Sequence, residues 1–130
     1  MPRPLPTVRT AALLLLAAGC RAAPPVPVAT GFVERAVAVD GVTYRYLLFV
    51  PRVPAPKAGR PVVLFLHGMG ERGSDNERPA HYSLGAWLRA HGDSFPAAVV
   101  FPQVPADSYW TGQPARAAMR ALDATMRELG

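Results

Sequence analysis

The alternation of apolar and polar positions divides this chain into elements before any composition is counted. Phe32 to Val39 and Val42 to Val50 are two runs rich in β-branched and aromatic residues, separated only by Asp40-Gly41. Asp-Gly accepts the positive φ angles of a two-residue turn, so the pair predicts an antiparallel hairpin. Pro51 to Gly59 carries three prolines and predicts a surface loop. Val62, Val63, Leu64, Phe65 and Leu66 then form an unbroken apolar run, which predicts a strand buried on both faces in the middle of a mostly parallel sheet. His67-Gly68-Met69-Gly70 stops it, and a polar stretch follows to Asn76. Glu77 to Tyr82 has no period and reads as irregular. Leu84 to His91 places Leu84, Trp87 and Leu88 on one face of a short helix closed by Gly92. Ala97 to Phe101, between Pro96 and Pro102, predicts a second apolar strand, and Gln103 to Gly112 a loop. From Pro114 to Leu129, Met119, Leu122, Met126 and Leu129 recur at helical spacing and predict an amphipathic helix with proline in its first turn. The order is hairpin, strand, helix, strand, helix, an α/β pattern with an antiparallel lead-in.

The N-terminal residues follow a different pattern. Arg3 and Arg9 precede Ala11 to Ala18, an apolar run too short to span a bilayer but of the length of a secretory signal core. It ends at Gly19-Cys20, and Leu16 to Cys20 resembles the lipobox of bacterial lipoproteins, in which the cysteine becomes the acylated N-terminus. Ala17 stands where that pattern prefers Leu, Val or Ile; cleavage after Ala23, with Cys20 discarded, is the alternative. Residues 1–20 are thus expected to be a signal, residues 21–30 a Pro/Ala-rich tether, and residues 31–130 the folded domain. The expected location is the bacterial cell envelope, held by lipid on Cys20, or the periplasm or medium if Cys20 is removed.

Composition narrows the function classes. The chain is 130 residues long, 50% hydrophobic and 18% charged, which suits one modest core. Its single cysteine rules out an intramolecular disulfide. The net charge of +5 falls to +3 without Arg3 and Arg9, and the remaining basic residues are scattered singly, so no nucleic-acid surface is indicated. His67, His81 and His91 are spaced by 14 and 10 residues, which matches no usual metal-ligand motif, and nothing calls for a cofactor.

The chemistry concentrates at the end of the first apolar strand. Two glycines around one bulky residue permit positive φ and close approach of a ligand, so backbone N–H groups there are suited to holding an oxyanion. The string LFLHGMGERGSDN, Leu64 to Asn76, resembles the oxyanion loop HGxGERGxDN of the α/β-hydrolase superfamily, in its esterase, polyhydroxybutyrate depolymerase-like and predicted-peptidase branch. The resemblance covers Gly31 to the end. It implies the N-terminal half of an α/β-hydrolase fold, an exported serine hydrolase acting on small or polymeric carboxylic esters, with a peptidase or a phospholipase as the lesser alternatives, and Met69 as the backbone oxyanion donor between Gly68 and Gly70. It also implies that His67 is a loop-fixing residue and not the catalytic base, which in this family comes late in the chain. Glu71, Arg72, Asp75 and Asn76 are expected to stabilise the loop through charge-assisted contacts. Tyr109 and Trp110 read either as cleft lining or as packing beneath a loop.

One part of the family pattern is missing. No G-x-S-x-G occurs, and Ser74, Ser83, Ser94 and Ser108 all lack a strand-to-helix elbow. The last helix also occupies the place of a crossover with no strand after it. The resemblance therefore implies a partial or truncated hydrolase domain, expected to be insoluble or molten and inactive if made alone. The competing expectation is a non-catalytic envelope lipoprotein that keeps a degenerate hydrolase-like half domain.

Overall fold

The two β-rich runs pair along their whole length. In the computed structural model, which describes residues 28–130, β1 (Gly31–Val39) and β2 (Val42–Val50) are antiparallel from Gly31 opposite Val50 to Val39 opposite Val42. Asp40 (φ 49°) and Gly41 (φ 80°) both take the left-handed conformation that a two-residue hairpin turn of this kind requires. The signal run, Cys20 and the tether as far as Pro27 lie outside the described residues.

The second edge of β2 pairs antiparallel with β4 (Ala98–Pro102), and β4 pairs parallel with β3 (Val62–Leu64), giving the order β1-β2-β4-β3. The sheet is therefore mixed. Only one of its three pairings is parallel, because the hairpin supplies half of the strands, so the mostly parallel sheet expected from the apolar runs is not what the described strands form. The strand buried on both faces is β4, all five residues of which are inaccessible, and not β3. β3 is shorter than its apolar run and lies at an edge, with Val63 and Leu66 39% and 47% exposed. Its hydrogen bonds explain this. The Ala98 N–H donates to Pro61 O and the Phe65 N–H to Val100 O, so Val62 and Leu64 turn their backbone groups the other way, where no strand lies among the described residues.

Strand alternation sorts the core into two layers. Tyr46, Leu48, Val50, Ala98 and Val100 face one side with Ala121, and Leu47, Phe49, Val99 and Phe101 face the other with Ala80 and Leu88. Helix α3 (Gly112–Leu129) covers the first face; α1 (Arg78–His81) and α2 (Ser83–His91) cover the second. Among the described residues no helix is long and apolar enough to cross a membrane.

Three helical features differ from the pattern reading. Part of the stretch expected to be irregular forms α1, because Asp75 Oδ1 accepts the N–H groups of Glu77 and Arg78 at 2.8 and 2.9 Å and so caps the turn. Gly92 closes α2 as expected, its N–H donating to Leu88 O, but at φ −69° and not with the positive φ of a left-handed cap, and the chain continues into a 3-10 turn; a Cβ there would lie 2.5 Å from the Phe49 ring. On α3 the buried residues are Ala117, Ala118, Ala121 and Thr125, whereas Met119 and Met126 are about half exposed. Small residues let the helix sit close to the sheet, and the Met-Leu stripe lies to one side of that contact. The helix is further fixed by Arg35, which donates to both carboxylate oxygens of Glu128 at 2.6 and 3.1 Å and holds that carboxyl below its usual range.

Candidate functional site

Because β3 and β4 run parallel, the loops that follow them meet at one end of the sheet, the end where open α/β sheets place their ligands. The first loop begins with His67, whose side chain is fully buried. Its Nε2 lies 3.1 Å from the Val104 N and its Nδ1 2.7 Å from Gly68 O. A backbone N–H only donates and a carbonyl only accepts, so these partners assign the neutral ring with its proton on Nδ1. Trp110 packs edge-on against the ring, with centroids 4.9 Å apart, and its indole N–H donates to His67 O at 3.0 Å.

The peptides that follow are held one by one. The Gly68 N–H donates to Glu71 Oε2 at 2.8 Å, and Gly68 O also accepts the Glu71 N–H at 3.3 Å, closing a 3-10 turn over Met69–Glu71. Met69 O accepts from the Arg72 N–H at 3.4 Å and from Arg72 Nε at 3.2 Å. The guanidinium of Arg72 reaches on to Ser108 O at 3.2 Å and lies 5.1 Å over the Tyr109 ring. What remains is the Met69 N–H and the Gly70 N–H, neither of which donates to any group among the described residues. The Met69 side chain is 68% exposed beside them.

Neither Gly68 nor Gly70 takes the positive φ expected of it; Gly68 is extended, at φ −82° and ψ −176°. A Cβ at either position would meet nothing within 4 Å, so both glycines border open space. Positive φ occurs later in the loop, at Gly73 and at Asn76 (φ 60°). The remaining loop residues serve its far end. Asp75 caps α1, and the N–H groups of Arg78 and Glu77 hold its carboxyl below the ordinary carboxylate range. Asn76 is buried and its N–H donates to Gln103 Oε1 at 2.7 Å.

Gln103 is the residue that pattern reading passes over. It is buried; its Oε1 takes the Asn76 N–H, and its Nε2 donates to Glu71 O at 2.9 Å and to Asp75 Oδ1 at 3.2 Å. One side chain thus ties both halves of the loop to the end of β4. The only sign of this in the sequence is a polar residue directly after a buried strand. Replacing Gln103 by Leu, of similar size, leaves the Asn76 N–H and Glu71 O without partners, and each buried group so orphaned costs about 1–3 kcal/mol. A lower urea midpoint with an unchanged slope is the expected result, and an unchanged midpoint would show that water replaces the amide at no cost.

Ser108, Tyr109 and Trp110 close the arrangement from the second loop. Together with His67, Gly68, Met69, Arg72 and Val104 they line a small open cleft of about 50 Å³. Trp110 therefore packs beneath the first loop and also lines the cleft beside Met69.

Neither a protein-family model nor a curated protein matches the chain. Among solved structures the chain is similar to a thermostable esterase, with 27% sequence identity and a TM-score of 0.63 over 75% of its length. The matched part spans 30% of that esterase. The described residues thus have an esterase-like α/β fold.

Proposed function

We propose that this chain carries the oxyanion-binding part of an exported ester hydrolase of the α/β-hydrolase superfamily, in the branch whose loop reads HGxGERGxDN. The observation that carries this reading is the Met69 N–H, without a partner among the described residues in a residue that lines the cleft, while the Gly68 peptide groups before it are held. The likeness to an esterase over 75% of the chain supports the same class. In this reading a serine supplied from outside residues 1–130 attacks the acyl carbon of a small or polymeric ester. The carbonyl oxygen gains the negative charge of the tetrahedral intermediate and is met by the Met69 N–H. Collapse of the intermediate expels the alcohol, protonated by a histidine from outside these residues, and water then releases the acid. Preorganised donors of this kind are effective because they are already aimed before charge develops. Met69 acts through its backbone, Gly68 and Gly70 keep its approach open, and His67, Glu71, Arg72, Asp75 and Asn76 hold the loop. Acylation of Cys20 would place the enzyme on an envelope membrane.

The experiment is covalent labelling of the full-length protein with a fluorophosphonate, alongside hydrolysis of p-nitrophenyl acyl esters. Stoichiometric labelling that abolishes turnover is expected. Absence of both labelling and turnover in folded full-length protein would overturn the reading.

A further inference from the structure

We propose that His67 is a positioning residue for the Met69 donor, acting through the Gly68–Met69 peptide and only as the neutral ring protonated on Nδ1. The proposal rests on the reading of Met69 given above. A trans peptide is planar and carries its C=O and its N–H on opposite sides, so whatever holds Gly68 O also sets the direction of the Met69 N–H. Gly68 O is held by the Nδ1–H of His67 at 2.7 Å and, at the longer distance of 3.3 Å, by the Glu71 N–H.

The ring is itself fixed: the Val104 N–H donates to Nε2, Trp110 packs edge-on against it, and the side chain has no exposed surface. The nearest charged group is Glu71, whose Oε2 lies 3.9 Å from Nδ1 and is engaged by the Gly68 N–H; Arg72 points away, to Met69 O and Ser108 O. With both nitrogens committed to backbone partners, the imidazole has no free site to take a proton from a substrate or nucleophile. Its contribution is orientation: the loop that follows β4, at Val104, is linked through one ring to the peptide that aims the donor.

Two substitutions separate this role from a contribution to stability alone. His67→Asn keeps a donor in the place of Nδ1 and leaves the buried Val104 N–H without an acceptor. His67→Gln places an acceptor where Nε2 was and leaves Gly68 O with the Glu71 N–H only. The positioning role predicts that the Met69 amide resonance of the full-length protein stays in place in His67→Asn and moves in His67→Gln, although His67→Asn is the less stable of the two. Turnover of a p-nitrophenyl ester follows the amide and not the stability, with kcat falling about 10- to 100-fold in His67→Gln at unchanged KM, as expected for a misdirected group. In the wild type, ring 15N shifts report Nδ1 protonated and Nε2 bare at neutral pH. A ring protonated on Nε2, or a Met69 amide unmoved in His67→Gln, overturns the proposal. Should either variant fail to fold, the wild-type ring shifts and the hydrogen-bond coupling between Nδ1 and the Gly68 carbonyl decide it. If the amide and ring behave as stated while no ester is hydrolysed, the hydrolase reading falls and the positioning role stands.

Discussion

Met69→Pro in the full-length protein is expected to lower kcat for ester hydrolysis by on the order of 10²–10³-fold, with little change in KM or in melting temperature. The size of the effect is that of removing one preorganised donor to an oxyanion. The selectivity follows from where Met69 sits. It is the first residue of the 3-10 turn, the helix-entry position that proline fits, and the proline ring removes an N–H that has no partner among the described residues. Gly68 before it is already extended, at ψ −176°, which is what a residue preceding proline needs. The side chain that is lost is mostly exposed. Met69→Ala keeps the N–H and serves as the control, with near wild-type turnover. Wild-type kcat in folded Met69→Pro would remove this N–H from the mechanism.

The parts of this molecule that were legible in the sequence are those fixed by local chemistry. Asp40-Gly41 specifies its turn because few other residue pairs adopt two successive positive φ angles, and the hairpin register follows from that turn. What was not legible depends on neighbours distant in the chain. Five consecutive apolar residues from Val62 to Leu66 do not encode whether one strand or two flank them; among the described residues β3 has one, whereas Ala98 to Pro102 has two, and its five residues are all buried. The packed face of α3 was hidden for a different reason. Alanines weigh little in an apolar count, yet Ala117, Ala118 and Ala121 are what lets the helix approach the sheet, and the larger Met119 and Met126 drew the pattern to the wrong side.

The site divides along the same line. The motif from His67 to Asn76 marks the loop, and its own side chains account for the contacts inside it: Glu71 on the Gly68 N–H, Arg72 on Met69 O, Asp75 on the start of α1. The bracket around the loop comes from Gln103, Val104, Ser108 and Trp110, 27 to 43 positions away from their partners. No period in that segment marks it, because each residue acts through a different group: an amide side chain, a backbone N–H, a carbonyl and an indole. Gly68 and Gly70 do not take the positive φ that their type permits; in this loop it falls at Gly73 and Asn76.

Phe101→Ala is expected to destabilise the protein by about 3–5 kcal/mol, the cost of a large aromatic truncated in a packed core. Phe101 is 1% exposed and lies between two other rings, with centroids 5.8 Å from Phe32 and 5.3 Å from Phe65. Truncation therefore removes two aromatic contacts as well as the buried area, and the cavity opens between strands whose backbones are hydrogen-bonded and cannot close over it. A loss of this size is a large share of the roughly 5–15 kcal/mol that a domain holds in total. Phe65 makes the change relevant to the site, since it stands two residues before His67 and its N–H is the last hydrogen bond from β3 into β4. Urea unfolding is the measurement, with a lowered midpoint at constant slope expected. Phe101→Leu, which keeps most of the volume, should lose under about 1.5 kcal/mol. If the two variants unfold at the same midpoint, the apolar volume that leucine keeps contributes nothing, and the whole loss belongs to the contacts of the aromatic ring.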